Sequence, residues 1–439
     1  MKKLIQSLSY ALVLSSLSFA AHSIEVTDNV HLHGFASQGY LYSPDAPYAG
    51  REAQDGSFDF REFGLNLSAE LDDKTRMAFG VLNRSVGDSV KSKSSLDFLL
   101  IDRVIYQSAG STFGLRVGRV KNDIGLYNSI RDIPSARPGI EIPKSVYFDS
   151  FRDTFLSVDG LNLYGNTVSV AGLVEWNVFY GHKDIDSNSL EYYALGGLSQ
   201  GHYDVGRILG AKVFFEPTAL SGFKVGLNFI KTNADLDNGP TANESTSQLT
   251  SKFSSLGINP MDGISPQEKL IIANEISNNL NQYAMKNENE INLAMLSMQF
   301  AFDNFLFSSE YLNIANKSLI IIPSLNGSEV TKNSGNVSGF FLQLEWFPSI
   351  NWSALVRYEE LVLDDKRNLK ELARTYDETH GYQKALTLGT KWNFYENWSL
   401  SGEVSINDGT AWVPIYKGME NDQTKQHWKV YRAALSYQF

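Results

Sequence analysis

One stretch of the chain, residues 121–154, concentrates residue types that could act on polar or charged solutes. It contains three prolines, several isoleucines and ten charges of both signs. Charges held at fixed positions beside a water-filled passage create a field that orients polar solutes and disfavours apolar ones. Because prolines and apolar anchors favour order, we expect this segment to pack against a wall. Its charged residues are Lys121, Asp123, Arg131, Asp132, Arg137, Glu141, Lys144, Asp149, Arg152 and Asp153.

Further charges alternate with apolar residues along segments that have the period of a β-strand. Alternation places the charges on one face and the apolar residues on the other. The acidic members of that polar face are Glu62, Glu175, Glu310, Glu345, Glu359 and Glu403. The residues predicted to set the constriction and its selectivity are Arg76, Arg84, Arg116, Lys121, Asp123, Arg131, Asp132, Arg137, Glu141, Asp149, Arg357, Lys391 and Arg432. For any one of them, the alternative interpretation is a solvated charge paired to a neighbour.

Motifs for covalent or metal chemistry are weak. His31 and His33 could present two imidazoles on one strand face, but no third ligand is close in sequence, so we expect neither a metal nor a cofactor. No Gly-x-Ser-x-Gly motif is present, which argues against a hydrolase. The formal net charge of −11 argues against binding to nucleic acid.

The elements that would position these charges are β-strands, and the period-two pattern predicts sixteen of them. A polar face opposite an apolar face on each strand predicts a wet interior and a surface in contact with lipid. The predicted strands are Val30–Tyr42, Ser57–Leu71, Thr75–Arg84, Ser95–Gln107, Thr112–Val120, Phe155–Tyr164, Val168–Tyr180, Tyr203–Glu216, Phe223–Lys231, Glu290–Phe302, Phe305–Ala315, Val337–Phe347, Trp352–Leu363, Tyr382–Phe394, Trp398–Asn407 and His427–Phe439.

The connections between these strands alternate in length. Tight turns are predicted at 72–74, 108–110, 165–167, 217–222, 303–304, 348–350 and 395–397. Long polar connections are predicted at 181–202, 232–289, 316–336, 364–381 and 408–426, the second with a helix from Ser265 to Met285 begun by a capping box. Segregated loop lengths are typical of an all-β, transmembrane antiparallel barrel with short periplasmic turns and long extracellular loops.

The two ends of the chain support export to an outer membrane. Residues 1–23 have the positive start, apolar stretch and small residues of a signal peptide, with cleavage expected after Ala20 or Ser23. Residues 24–439 would then form one barrel domain without disulfides, since the chain has no cysteine. The last strand keeps its alternation to the final residue, Phe439.

This architecture resembles the general and substrate-specific porins of Gram-negative bacteria. The stretches 118–127 and 145–149 are similar to porin-like proteins of gammaproteobacteria. The resemblance implies a third loop, about 121–154, that folds inward as a constriction; an ordered surface loop is the alternative. It also implies a homotrimer in the outer membrane, surrounded by lipid and lipopolysaccharide. Tyr437 and Phe439 would carry the signal read by the barrel-assembly machinery.

The function predicted from these features is passive diffusion of small hydrophilic solutes through a water-filled channel, not catalysis. One alternative is a channel selective for anions or sugars, although the sequence shows neither a dense arginine ladder nor a clean row of aromatic residues facing the interior. A second alternative is a non-conducting surface receptor or adhesin that uses the long loops.

Overall fold

The computed structural model describes residues 24–87, 90–147, 152, 156–185, 202–237, 286–324, 327–363, 378–413 and 424–439. The predicted signal peptide, the predicted helix from Ser265 to Met285, and Asp149 lie outside these ranges. Within them, no helix is long and apolar enough to cross a membrane.

The described residues form an antiparallel β-barrel. Sixteen strands, β2 to β17, pair in chain order, and β17 pairs with β2 to close the sheet, while β1 is a short strand paired with β2. The predicted sixteen-strand transmembrane barrel is therefore confirmed. The strands are β1 (Ile24–Thr27), β2 (Val30–Tyr42), β3 (Ser57–Asp72), β4 (Thr75–Val86), β5 (Val90–Gln107), β6 (Ser111–Lys121), β7 (Ser157–Val168), β8 (Gly172–Ile185), β9 (His202–Pro217), β10 (Phe223–Asp237), β11 (Lys286–Phe302), β12 (Phe305–Ser324), β13 (Gly327–Ser349), β14 (Trp352–Val362), β15 (Tyr382–Tyr395), β16 (Trp398–Gly409) and β17 (His427–Gln438).

Alternating side chains explain why this sequence closes into a barrel in lipid. On β15, Leu386, Leu388 and Trp392 are 40–48 % exposed, whereas Thr387 and Lys391 between them are buried. Closure leaves no unpaired strand edge within the membrane, where an unsatisfied backbone group would cost several kcal/mol. Aromatic rings border the short turns, such as the stacked Trp352 and Trp392 rings. The apolar face therefore forms a band that meets lipid.

Most short turns lie where the sequence predicts them, but one does not. The turn predicted at 165–167 is wrong, because Gly165, Asn166 and Thr167 all pair with both β6 and β8. The chain instead reverses at 169–171, where Ser169 and Gly172 exchange backbone hydrogen bonds of 2.9 and 3.2 Å. Glycine is needed at position 165 of the strand because the Trp176 ring occupies the space of a side chain there. A β-carbon at this position would lie 2.8 Å from the ring. A glycine that accommodates an aromatic ring was thus mistaken for a turn residue.

The predicted long connection at 316–336 is also largely wrong. β12 continues to Ser324 and β13 begins at Gly327, so the two strands form a long hairpin beyond the predicted strand ends. Strands β8 and β10 likewise extend to Ile185 and Asp237. Outside the lipid band both strand faces are wet, so the apolar alternation disappears while the backbone pairing continues.

Candidate functional site

The connection between β6 and β7 contacts strands on several sides of the barrel interior. We call it the third-loop segment; it comprises residues 122–156 and is described over 122–147, at 152 and at 156. Near its start, Gly125 N donates to Asn228 Oδ1 on β10 (2.9 Å) and Leu126 N donates to Glu310 Oε1 on β12 (2.8 Å). Further along, Ile140 N donates to Glu403 Oε1 on β16 (2.8 Å). A segment that touches β10, β12 and β16 together lies inside the barrel.

Apolar side chains of the third-loop segment form a core with the inner wall. Ile124, Ile142 and Val146 are buried against wall residues that include Phe179 on β8 and Phe341 on β13. At roughly 25 cal/mol for each Å² of apolar surface removed from water, such burial contributes substantially to docking of the segment. Isoleucines and Val146 of the segment therefore serve as anchors.

Glu62 on β3 links the third-loop segment to the wall on one side. Its carboxylate accepts a hydrogen bond from Arg84 Nε on β4 (3.1 Å) and forms a short ion pair with Arg137 of the segment. The ammonium group of Lys391 on β15 donates to the backbone carbonyls of Ser135 (3.1 Å) and Arg137. All these charged side chains are largely buried.

Glu141 of the third-loop segment forms a second link, to β17. Arg432 Nη2 lies 2.7 Å from Glu141 Oε2, and Lys144 Nζ lies 3.2 Å from Glu141 Oε1. The hydroxyl of Tyr48, from the connection between β2 and β3, donates to the same carboxylate (2.8 Å). Burial and the neighbouring Glu141 charge raise the pKa of Tyr48, so the phenol stays a proton donor. Arg357 on β14 donates to the Glu141 backbone carbonyl (3.1 Å).

Asp132 is the centre of a third charged cluster. Lys121 Nζ, at the end of β6, lies 3.1 Å from Asp132 and 2.6 Å from Asp97 on β5. Arg152 makes a further short ion pair with Asp132. Burial alone would raise the pKa of Asp132, but Arg152, Lys121 and Arg131 together lower it well below its usual range. Asp132 therefore remains charged.

Arg76 and Arg116 lie apart from the third-loop clusters, nearer the short turns. Both donate to Asp102 on β5, at 3.3 and 3.1 Å, and the Tyr164 hydroxyl donates to the same carboxylate at 2.6 Å. The Arg116 guanidinium stacks over the Tyr164 ring, 4.1 Å from its centroid. Because the Arg76 side chain is 52 % exposed, this group faces open space more than the others do.

The fold of this chain is similar to that of several solved outer-membrane proteins. No family description and no curated protein matches the chain. Among solved structures, Salmonella typhi OmpF in complex with daunomycin is 11 % identical, with a TM-score of 0.52 over 95 % of this chain and 100 % of that one. The anion-selective porin of Comamonas acidovorans is 13 % identical, with a TM-score of 0.51 over 93 % and 99 %. The outer membrane channel DcaP of Acinetobacter baumannii is 8 % identical, with a TM-score of 0.51 over 93 % and 97 %.

The chain has the fold of an outer-membrane porin. The architectural resemblance predicted from the sequence is thereby confirmed, while at such low identity the similarity concerns the fold alone. A closed barrel of this type with a lipid-facing apolar band is an outer-membrane protein, as the sequence predicts.

Within the porin fold, the residues predicted from the sequence fall into separate groups rather than one site. Arg84 and Arg137 both pair with Glu62. Arg432 pairs with the carboxylate of Glu141, and Arg357 donates to its backbone carbonyl. Lys121 and Arg131 lie near Asp132. The others are Arg76 and Arg116 at Asp102, Asp123 paired with Lys212, and Lys391 on the segment backbone. In the part of the chain that is described, no three histidine, aspartate or glutamate side chains form a metal site.

Several partners of these charges were missed at the sequence level. Asp97 and Asp102 lie on β5, where an irregular pairing near Gly80 and Val81 shifts the register, so simple alternation does not select both. Tyr48 lies in an irregular connection that has no periodicity. Alternation identifies inward-facing wall residues, but it carries no information on which loop residue reaches them.

Proposed function

We propose that the protein is a porin that forms a water-filled channel for passive diffusion of small hydrophilic solutes. The observation that supports this most is the closed sixteen-strand barrel whose inner face is polar and contacts an inserted loop. Sixteen strands make a barrel wide enough for an aqueous passage. The inserted segment would narrow that passage and exclude larger solutes.

We propose that the charges around the third-loop segment act chiefly by holding the segment in place. Support comes from their burial, since Arg137, Glu141, Arg357 and Arg432 are each less than 8 % exposed and contact one another or nearby groups. Between the segment and the β4 wall, Arg84, Arg131 and Arg137 border a cavity with about 20 Å³ of room for water-sized occupants. Selectivity would then depend on the more exposed Arg76 and Arg116.

Reversal potentials across planar lipid bilayers test the selectivity assignment. Neutralising Arg76 and Arg116 together, each to Gln, should shift the reversal potential in a KCl gradient and change the conductance. The matched control is Arg103→Gln, which removes a 60 % exposed arginine that pairs with Asp72. Unchanged conductance and selectivity in the double variant would show that these two residues do not set the selectivity of the passage.

We further propose export and assembly steps that match this function. Residues 1–23 would direct secretion, and Tyr437 and Phe439 would be recognised by the assembly machinery. Phe439 supports this role because its backbone exchanges hydrogen bonds of 2.9 Å with Gly34 across the barrel seam. We propose a homotrimer as the assembled form, with no catalytic activity. Cross-linking in native membranes followed by mass measurement tests the trimer.

The long hairpin of β12 and β13 favours a second candidate, a surface receptor. The strands continue about nine residues beyond Ala315, which is roughly 30 Å of extended chain. A paired projection of this kind would present a binding surface to another molecule. Correctly folded protein that shows no conductance in bilayers would favour this candidate over the channel.

A further inference from the structure

Five basic side chains line the cavity between the third-loop segment and the β4 wall. They are Arg84 on β4 and Arg131, Arg137, Lys144 and Arg152 of the segment. Arg131, Arg137 and Arg152 are 7 %, 5 % and 9 % exposed, and the side chains of Arg84 and Lys144 are each 13 % exposed. Buried like charges repel one another strongly because little water screens them. The chain places these five cations together although its formal net charge is −11.

Three carboxylates adjoin the five cations and do not balance them. Asp132 and Glu141 line the cavity, and Glu62 pairs with both Arg84 and Arg137. Five cations beside three carboxylates leave an excess of two positive charges among the described residues that adjoin the cavity. A buried charge without a counterion is far less favourable than a paired one. The cavity is therefore suited to a negatively charged occupant.

The cations outside the cavity do not change this excess, because each brings a carboxylate of its own. Lys121, which pairs with Asp132, also lies 2.6 Å from Asp97. Arg432, which pairs with Glu141, also lies 3.6 Å from a Glu403 oxygen. These outer pairs are neutral as a whole, so the excess stays at the cavity.

Arg137 also has a donor that no described residue satisfies. Its Nη1 donates to the Ile140 carbonyl (2.8 Å), and its Nη2 pairs with Glu62. The Nε of the same guanidinium is buried and has no hydrogen-bond acceptor among the described residues. Leaving a donor of a buried charged group unpaired is costly. Because Arg137 lines the cavity, an acceptor held there would lie beside this guanidinium.

The size of the cavity limits what it can hold. It has about 20 Å³ of room for water-sized occupants, and one water molecule needs roughly 10–15 Å³ by the same measure. A sulfate or phosphate ion, with its central atom and four oxygens, is too large. A water molecule fits but brings no charge. A monoatomic anion such as chloride fits and also offsets part of the excess.

From the charge excess, the unpaired donor and the size together, we propose that this cavity binds one monoatomic anion, chloride in ordinary saline, which locks the third-loop segment to the wall. The ion attracts Arg84 of β4 and Arg131 and Arg137 of the segment at the same time. It therefore bridges the two surfaces as a structural ion and is not one of the diffusing solutes. Such a site needs the docked position of the segment, and it does not depend on conduction through the barrel.

Crystals grown in bromide locate the ion directly. Bromide replaces chloride and scatters anomalously, so the wild type should show one anomalous peak among Arg84, Arg131 and Arg137. The double variant R84Q/R131Q removes the two excess charges and should show no peak there. The matched control R103Q removes an exposed arginine that pairs with Asp72, and it should keep the peak.

Thermal unfolding of the full-length barrel in detergent gives a second readout. At constant ionic strength, replacing gluconate with chloride should raise the unfolding midpoint in a saturable way. The shift should reach roughly 3 °C when chloride exceeds its dissociation constant about a hundredfold. R103Q should show the same shift as the wild type, and R84Q/R131Q should show none.

Three results would overturn the proposal. A cavity without a bromide peak in the wild type would mean that water alone occupies it. Equal unfolding midpoints in chloride and gluconate would mean that no anion stabilises the segment, and a full chloride shift in R84Q/R131Q would identify a general salt effect. If R84Q/R131Q does not form a barrel, the two wild-type results still decide. Current enters none of these readouts, so a protein that does not conduct would contradict the diffusion channel and leave the anion site intact.

Discussion

Buried ion pairs between the third-loop segment and the wall should matter far more than exposed pairs. Glu141 contacts Arg432, Lys144 and Tyr48 in a buried cluster. Replacing Glu141 with Gln leaves buried cations without their carboxylate, so we expect a loss of about 3 kcal/mol in the free energy of unfolding. Urea titration of the protein in lipid vesicles measures it.

The control for this prediction is the exposed pair of Lys425 and Asp45, in which the lysine is 68 % exposed. Lys425→Gln should cost less than about 1 kcal/mol because water screens the pair. A similar small loss in Glu141→Gln would mean that the cluster does not hold the segment.

The low pKa of Asp132 predicts a defined pH dependence. A carboxyl group whose folded pKa lies below its unfolded value of 3.8 contributes stability above that value and loses it as pH falls through the folded pKa. The difference in unfolding free energy between the wild type and Asp132→Asn should therefore be constant from about pH 8 to 5. It should shrink only below about pH 4. A difference that already shrinks near pH 6 would contradict the assigned ion pairs.

Individual residues were predictable from the sequence only as members of a face. Alternation correctly selected the buried Glu62, Arg357 and Arg432 as inward-facing wall residues, and also Arg84, which contacts Glu62. It could not select Arg137 as the partner of Glu62, because the two residues are 75 positions apart and meet through an irregular segment. Local periodicity contains no information on such long-range contacts.

At the scale of elements, the position of the β7–β8 turn gives a direct test. Val170, at the centre of the turn, is 98 % exposed, whereas Asn166 is paired with strands on both sides. A short epitope inserted after Val170 should leave barrel assembly intact and be accessible only from the periplasmic side. The same insertion after Asn166 should block assembly because it interrupts the backbone pairing of β7 with both β6 and β8. Assembly with both insertions, or with the second alone, would restore the turn predicted from the sequence.

The start of the third-loop segment depends on a glycine with a left-handed backbone. Gly125 has φ of 61°, and a β-carbon there would lie 2.2 Å from the Tyr147 hydroxyl. Gly125→Ala should therefore displace the segment and increase current fluctuations in single-channel recordings. Gly402→Ala is the control, since no atom lies within 4 Å of a β-carbon at that position. Equal current noise in the two variants would argue against a role for the docked segment in the passage.

Strand ends inside the lipid band were predicted better than strand ends that extend into water. The tight turns predicted at 72–74, 108–110 and 303–304 agree with the structure. Each adjoining strand has an apolar face toward lipid, so the end of the apolar alternation marks the turn. The extensions of β12 and β13 were missed because a strand surrounded by water needs no alternation. The glycine at 165 was misread because small residues serve both turns and ring packing.

At the scale of the whole molecule, closure of the barrel was predictable and the state of its interior was not. Strand count, loop alternation and the apolar last strand suffice to predict a closed barrel. The sequence predicted a wet, charged interior, but it did not show how many of the inward-facing charges would be buried in pairs with the third-loop segment. This burial supports the proposal that the inserted segment, and not the wall alone, governs how much of the interior remains open.

Single-channel recording in planar bilayers tests the central claim most directly, that an inserted third-loop segment narrows a diffusion channel. The wild type should show stepwise, ohmic conductance, and Glu141→Gln should show larger or noisier steps because its segment is held less firmly. Absence of conductance from both proteins, each shown to be a folded barrel, would contradict the account.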